Sequence, residues 1–181
     1  LHEAEPSGAT TVALSVLRRA AAVGHRVDVL LKRGGTLEPA LAAFAASVRP
    51  CPVRDPAHPE ALPAFLRAQG ALRARMESGE WDLVYANTAA VAECLVSNLP
   101  IAPPLVWHIH ESEGLLETHG APGHLPRFLD RLRAVIAVSP SVADALSRIG
   151  IPEPLLRVIP PGLEPAEEPA PGPTLRELAG A

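Results

Sequence analysis

The residues best suited to chemistry stand in a run of four, His108-Ile109-His110-Glu111. On an extended chain two imidazoles one residue apart point to the same side, while Trp107 and Ile109 point to the other. An imidazole at the end of such a strand, with Glu111 next to it, can bond a hydroxyl or act as a general base near neutral pH. The plain structural alternative bonds one ring to core backbone and leaves the other in water. His-x-His is also a metal-ligand spacing, but no obvious partners complete a metal set. A second cluster is Pro6-Ser7-Gly8-Ala9-Thr10-Thr11, where a glycine just before a helix lets backbone N–H groups approach a phosphate or carboxylate. It carries neither a GxGxxG nor a GxxxxGK[ST] pattern, so Gly8 serves equally well as a turn residue. Gly34-Gly35, Asn87-Thr88 and Ser139 share this double reading, as turn or cap residues and as ligand contacts.

These residues have one thing in common: each stands at or just after the end of a predicted strand, the strand before Pro6 being one whose end alone would be present. The apolar runs of strand length are Arg26–Lys32, Val48–Val53, Asp82–Ala86, Leu105–His110, Ala134–Val138 and Arg157–Ile159. Between them lie segments with helical spacing: Ser7 to Gly24, Leu37–Ala46, Glu60–Ser78, Ala89–Leu99, Leu125–Leu132 and Pro140–Ile149. Residues 1–5 precede the first helix at a place where the end of a further strand belongs. Near-continuous apolar strands alternating with helices predict an α/β fold, a doubly wound parallel sheet in a three-layer αβα sandwich. In such sheets ligands gather outside the carboxyl ends of the strands, where the polar residues above would meet. Ser112–Leu125, with His119, His124 and several glycines, reads as a mobile lid or a solvated loop. The domain is expected to span residues 1–159, followed by a Pro/Glu-rich linker over 160–174. Residues 175–181 look like the first turns of a further domain.

Composition narrows the classes. The 181 residues are 48% hydrophobic, 20% charged and 3% aromatic, which suits a globular chain with an Ala/Leu/Val core. Sixteen basic residues against 20 acidic ones, with no basic tract, argue against nucleic-acid binding. Cys51 and Cys94 form no C-x-x-C and fit buried free thiols in a reducing cytoplasm. No apolar run reaches the ~20 residues of a membrane span, and no signal peptide is visible. Lys32 is the only lysine beside many arginines in a chain rich in Ala and Pro, a bias of GC-rich, bacterial-type coding.

The order of four motifs is similar to that of a known family. LHEAEPSGATTVALSVLRRAAAVGHRVDVLL, DLVYANT, LVWHIHE, and IAVSPSVADALSRIGIP followed by RVIPPGL together resemble the N-terminal domain of the family 4 (group 1) glycosyltransferases. The resemblance covers Leu1 to about Leu163 and implies one of two Rossmann-like domains facing across a cleft (the GT-B fold). It implies a retaining transfer of a sugar, of hexosyltransferase type, from a nucleotide-sugar to a glycan, lipid or small-molecule hydroxyl, with no metal or other cofactor. By position, His110 would be the catalytic residue beside the anomeric carbon. Gly8 and Ala9 would form the donor-phosphate loop. Asn87, Thr88, His108, Glu111 and Ser139 would belong to the acceptor side of the cleft. The basic residues that hold the diphosphate belong to the family's C-terminal domain, so the chain is expected to need that domain as a partner and to be inactive alone. A location in the cytoplasm or at the inner face of the membrane, with peripheral membrane contact, fits this reading. Two alternatives are a non-catalytic binding module of the same fold and a metal-dependent hydrolase built on His-x-His.

Overall fold

A computed structural model describes residues 1–55, 57–98 and 103–162. The expected linker beyond Gly162, the start of a further helix over 175–181 and Leu99 lie outside the described residues. All six predicted strands are present: β1 (Asp28–Leu31), β2 (Ser47–Pro50), β3 (Val84–Asn87), β4 (Leu105–Ile109), β5 (Leu132–Ala137) and β6 (Leu156–Val158). Every pairing between them is parallel. Intervening helices include α1 (Gly8–Ala22), α2 (Glu38–Ala42), α3 (Leu62–Glu77), α4 (Ala92–Ser97), α5 (Glu113–Thr118), α6 (Ala121–His124) and α7 (Pro140–Arg148). The architecture is the Rossmann-like α/β arrangement expected.

The strands divide into two sheets, β1-β2 and β3-β4-β5-β6. Between β1 and β3 runs an apolar slot lined by Leu30, Leu83, Val84 and Tyr85 among others. Residues 1–3 lie along β1 at this slot: the Leu1 ammonium donates to the Leu30 carbonyl at 2.7 Å, and Arg33 N–H donates to His2 O at 2.9 Å.

The apolar interior correspondingly falls into two clusters. The larger surrounds β4 and β5, with Trp107 and Phe128 fully buried and packed edge to face at 5.3 Å. The smaller joins Val27, Val29, Leu31, Leu41 and Ala4 under α1 and α2. Side chains from both halves meet around Cys51, just after β2, and Cys94 in α4, which line the same slot, with Asn98 Nδ2 donating to the Cys94 carbonyl at 2.8 Å.

Two expectations are corrected. Leu125–Leu132 is not a helix but two 3-10 turns, Leu125–Arg127 and Leu129–Arg131, leading into β5, which already begins at Leu132. Phe128 breaks the helical path at φ −133°, and its ring reaches the core against Trp107. Ser112–Leu125 is not an open loop or lid: it forms α5 and α6, and Leu116, Ala121 and Leu125 are buried in the larger cluster. Arg148 of α7 also grips Glu113 of α5 through two bonds of 2.8 Å.

Candidate active site

The site forms where the ends of β3, β4 and β5 meet the start of α1. Ser7 caps α1, its hydroxyl accepting from Thr10 N–H. The amides of Gly8 and Ala9, in the first turn, have no carbonyl four residues back within the helix to bond. Gly8 and Ala9 line a cavity of about 640 Å³ together with Thr11, Ser15, Arg18, His110, Val138 and Gly162. Gly8, Ala9 and His110 are thus the sequence-predicted residues that share one cavity wall. Helical spacing puts Thr11, Ser15 and Arg18 on one face of α1, a hydroxyl and guanidinium stripe that motif reasoning missed. Its signal was in the sequence, as polar residues interrupting the apolar pattern of Ala13, Leu14 and Leu17.

Behind the cavity stands a buried polar layer. His108 and His110 lie on the same side of the chain, as period two requires, with ring centroids 4.3 Å apart. The Tyr85 hydroxyl and His108 Nδ1 are 2.6 Å apart. Burial, with His110 adding to it, lowers the pKa of His108 to about 4, so this ring is neutral at physiological pH. Burial lowers that of His110 as well, against the opposing pull of Glu111. His108 Nε2 and Thr88 Oγ1 are buried and have no hydrogen-bond partner among the described residues.

The residues expected on the acceptor side do not line this cavity. Asn87 is 1% exposed and joins two elements: its Nδ2 donates to the Ala9 carbonyl at 3.2 Å, and its Oδ1 faces His110 Nε2 at 3.0 Å. Thr88 is buried at φ +76° and ψ 156°, a region that strains any residue with a Cβ. Its strained peptide is held from both sides, by Thr88 N–H to His108 O at 2.8 Å and by Trp107 Nε1 to Thr88 O at 3.0 Å. The Glu111 carboxylate accepts from Ala89 N–H at 2.9 Å and from His110 N–H at 3.0 Å, binding the end of β4 to the turn after β3. Ser139 caps α7 by accepting from Val142 N–H. Gly35 lies against the Ala4 backbone, where it serves packing. Among the described residues no cluster of three His, Cys, Asp or Glu is placed to hold a metal ion. No described helix is long and apolar enough to cross a membrane.

What this arrangement can do is bring an anion to the α1 N-terminus and a hydroxyl to a neutral imidazole within one cavity. Comparison with known proteins bears on that pairing. The family model described as Glycosyltransferase Family 4 matches residues 6–167. Among solved structures, Anabaena Alr3699/HepE in complex with UDP and glucose aligns at 23% identity with a TM-score of 0.66. The alignment covers 91% of this chain and 43% of that one. The same protein in complex with UDP-glucose aligns at 22% identity and the same TM-score of 0.66. The chain therefore spans less than half the length of these structures, and at this identity the likeness concerns the fold. No curated protein sequence matches the chain.

Proposed function

The chain belongs to Glycosyltransferase Family 4, and from that premise we propose that it is the acceptor-side half of a retaining hexosyltransferase acting with a nucleotide-sugar. The observation that carries the proposal is the single cavity lined both by Gly8 and Ala9 at the start of α1 and by His110. Glycosyl transfer develops positive charge on the sugar and negative charge on the departing phosphate. Fixed N–H dipoles aimed at that phosphate stabilise the transition state more than the ground state. The helix N-terminus supplies such dipoles without a side-chain charge, and His110 supplies a polar contact for a hydroxyl at the reacting end. UDP and UDP-glucose bind the structurally similar HepE, which supports a nucleotide-sugar as the donor here.

The remaining diphosphate contacts belong, on this reading, to a second domain that faces the cavity. The 181 residues alone then turn over no nucleotide-sugar. The acceptor is a glycan, lipid or small molecule, and catalysis proceeds in the cytoplasm or at the inner face of the membrane, with no metal or organic cofactor. The test is to express the full-length protein containing this chain and screen a panel of nucleotide-sugars for nucleotide release. Release with one donor supports the transferase and names its sugar; release from the 181 residues alone overturns the need for a second domain. Binding of a nucleotide-sugar without release by the full-length protein would instead mark a non-catalytic module.

A further inference from the structure

The contact between Asn87 and His110 decides which nitrogen of the ring carries its hydrogen. Asn87 is buried, and a second bond orients its amide, because Nδ2 donates to the Ala9 carbonyl. That leaves Oδ1 against Nε2 of His110 at 3.0 Å. A carboxamide oxygen can only accept, so Nε2 must donate. The opposite amide orientation would press Oδ1 against the Ala9 carbonyl oxygen, two acceptors in contact within a buried layer. In a neutral imidazole with hydrogen on Nε2, the lone pair lies on Nδ1. The surroundings favour that neutral ring. His110 is partly buried, and His108 stacked at 4.3 Å would repel it if both were protonated. Glu111 pulls the other way, although its two carboxylate oxygens are already bonded by the Ala89 and His110 amides. Tyr85 reaches only His108, and Arg18 of α1 lines the same cavity.

We propose that Asn87 is a positioning residue that holds His110 as the Nε2–H tautomer, so that the ring meets its substrate through Nδ1 as a hydrogen-bond acceptor. The partner of His110 is then a group that donates a hydrogen, a substrate hydroxyl, and not a phosphate oxygen. This assigns a division of labour inside the cavity: the α1 amides take the anion and the imidazole takes a hydroxyl. Asn87 bonds both the α1 first turn and the ring, and so sets the distance between the two. The identity of the hydroxyl as one on a sugar or acceptor rests on the transferase reading above; the tautomer does not.

The tautomer is read directly from long-range histidine ¹⁵N–¹H correlations on the full-length protein at neutral pH, with His110 assigned by loss of its signals in His110→Gln. The Nε2–H pattern is expected in the unmodified protein. An Nδ1–H pattern, or averaging of the two, overturns the proposal even if no Asn87 variant folds. Asn87→Leu removes the acceptor, and its His110 signals are expected to shift toward a mixture of tautomers. Unchanged signals in that variant would remove Asn87 from the role. With a nucleotide-sugar that the unmodified enzyme turns over, Asn87→Leu is expected to lower kcat at least tenfold and to change the donor KM less than threefold. Loss falling on KM alone overturns the positioning role. Absence of turnover by the unmodified enzyme defeats the transferase reading instead, and leaves the tautomer result standing.

Discussion

His110 draws its character from neighbours that belong to three different elements: His108 on its own strand, Asn87 at the end of β3 and the cavity face of α1. On the proposed reading the diphosphate is held by the α1 N-terminus and a second domain, so removing the ring as His110→Ala in the full-length enzyme should lower kcat far more than it weakens donor binding. Steady-state kinetics with binding of the donor checks this; equal losses in both would mark His110 as a simple binding group. His108 gives a pH signature of its own. Its pKa falls from 6.5 in the open chain to about 4 in the fold, so the unfolded state binds the extra proton over that interval. Its contribution is intact above pH 6.5 and is lost as pH falls toward 4, a change of about 3 kcal/mol. Urea denaturation at pH 7 and at pH 4.5 should show a steeper acid loss for the parent than for His108→Asn, and parallel losses would contradict the assignment. The same-side placement of His108 and His110 was legible in the sequence because strand periodicity alone requires it. The role of Asn87 was not, since its bond to Ala9 spans 78 residues and leaves no local pattern. Nor could spacing show that Thr88 would take a left-handed backbone under the hold of Trp107.

At the scale of elements, β3, β4 and β5 are legible because each is a short, mainly apolar run closed by polar residues, whereas β2, Ser47–Pro50, is half polar and only its place between helices marks it. The errors fell where apolar content and helical spacing were ambiguous. Ser112–Leu125 reads as a loop because three glycines and a proline interrupt it, yet Leu116, Ala121 and Leu125 suffice to bury two short helices. Leu125–Leu132 looked helical because tertiary demand for the Phe128 ring is invisible in a local pattern. The paired glycines after β1 separate in the same manner. A Cβ at Gly35 would strike the Ala4 backbone, which cannot swing aside, whereas one at Gly34 meets only the flexible Glu38 side chain. Gly35→Ala is thus expected to cost about 2 kcal/mol through overpacking, and Gly34→Ala to stay within about 0.5 kcal/mol. Thermal or urea unfolding of the two variants checks the contrast; equal effects would show that the loop after β1 relaxes freely.

For the whole molecule, the alternation of strand and helix makes the Rossmann-like class readable from the sequence, and the family match spans residues 6–167 of it. The division into two sheets was not readable, because hydropathy marks which segments are strands and not which edges pair. That division carries an expectation for the native ensemble. Apolar packing is dense within each cluster. Between the halves run polar ties, Lys32 to Glu93 at 2.7 Å and Trp81 Nε1 to Asp28 at 3.1 Å, and a limited apolar contact in which Leu30 of β1 packs against the larger cluster. Amide exchange should therefore occur in β1 and β2 at least about tenfold faster than in β4 and β5, reflecting a partial opening ~1.4 kcal/mol or more below global unfolding. Uniform protection across all strands would contradict it. The placement of Cys51 and Cys94 in the slot between the halves turns this opening into a chemical clock. The Cys51 thiol, raised in pKa by the neighbouring Cys94 and by burial, is a poor nucleophile while the halves are closed. A thiol reagent should then modify the buried Cys94 at the frequency with which one foldon parts from the other, long before the β4–β5 core gives way.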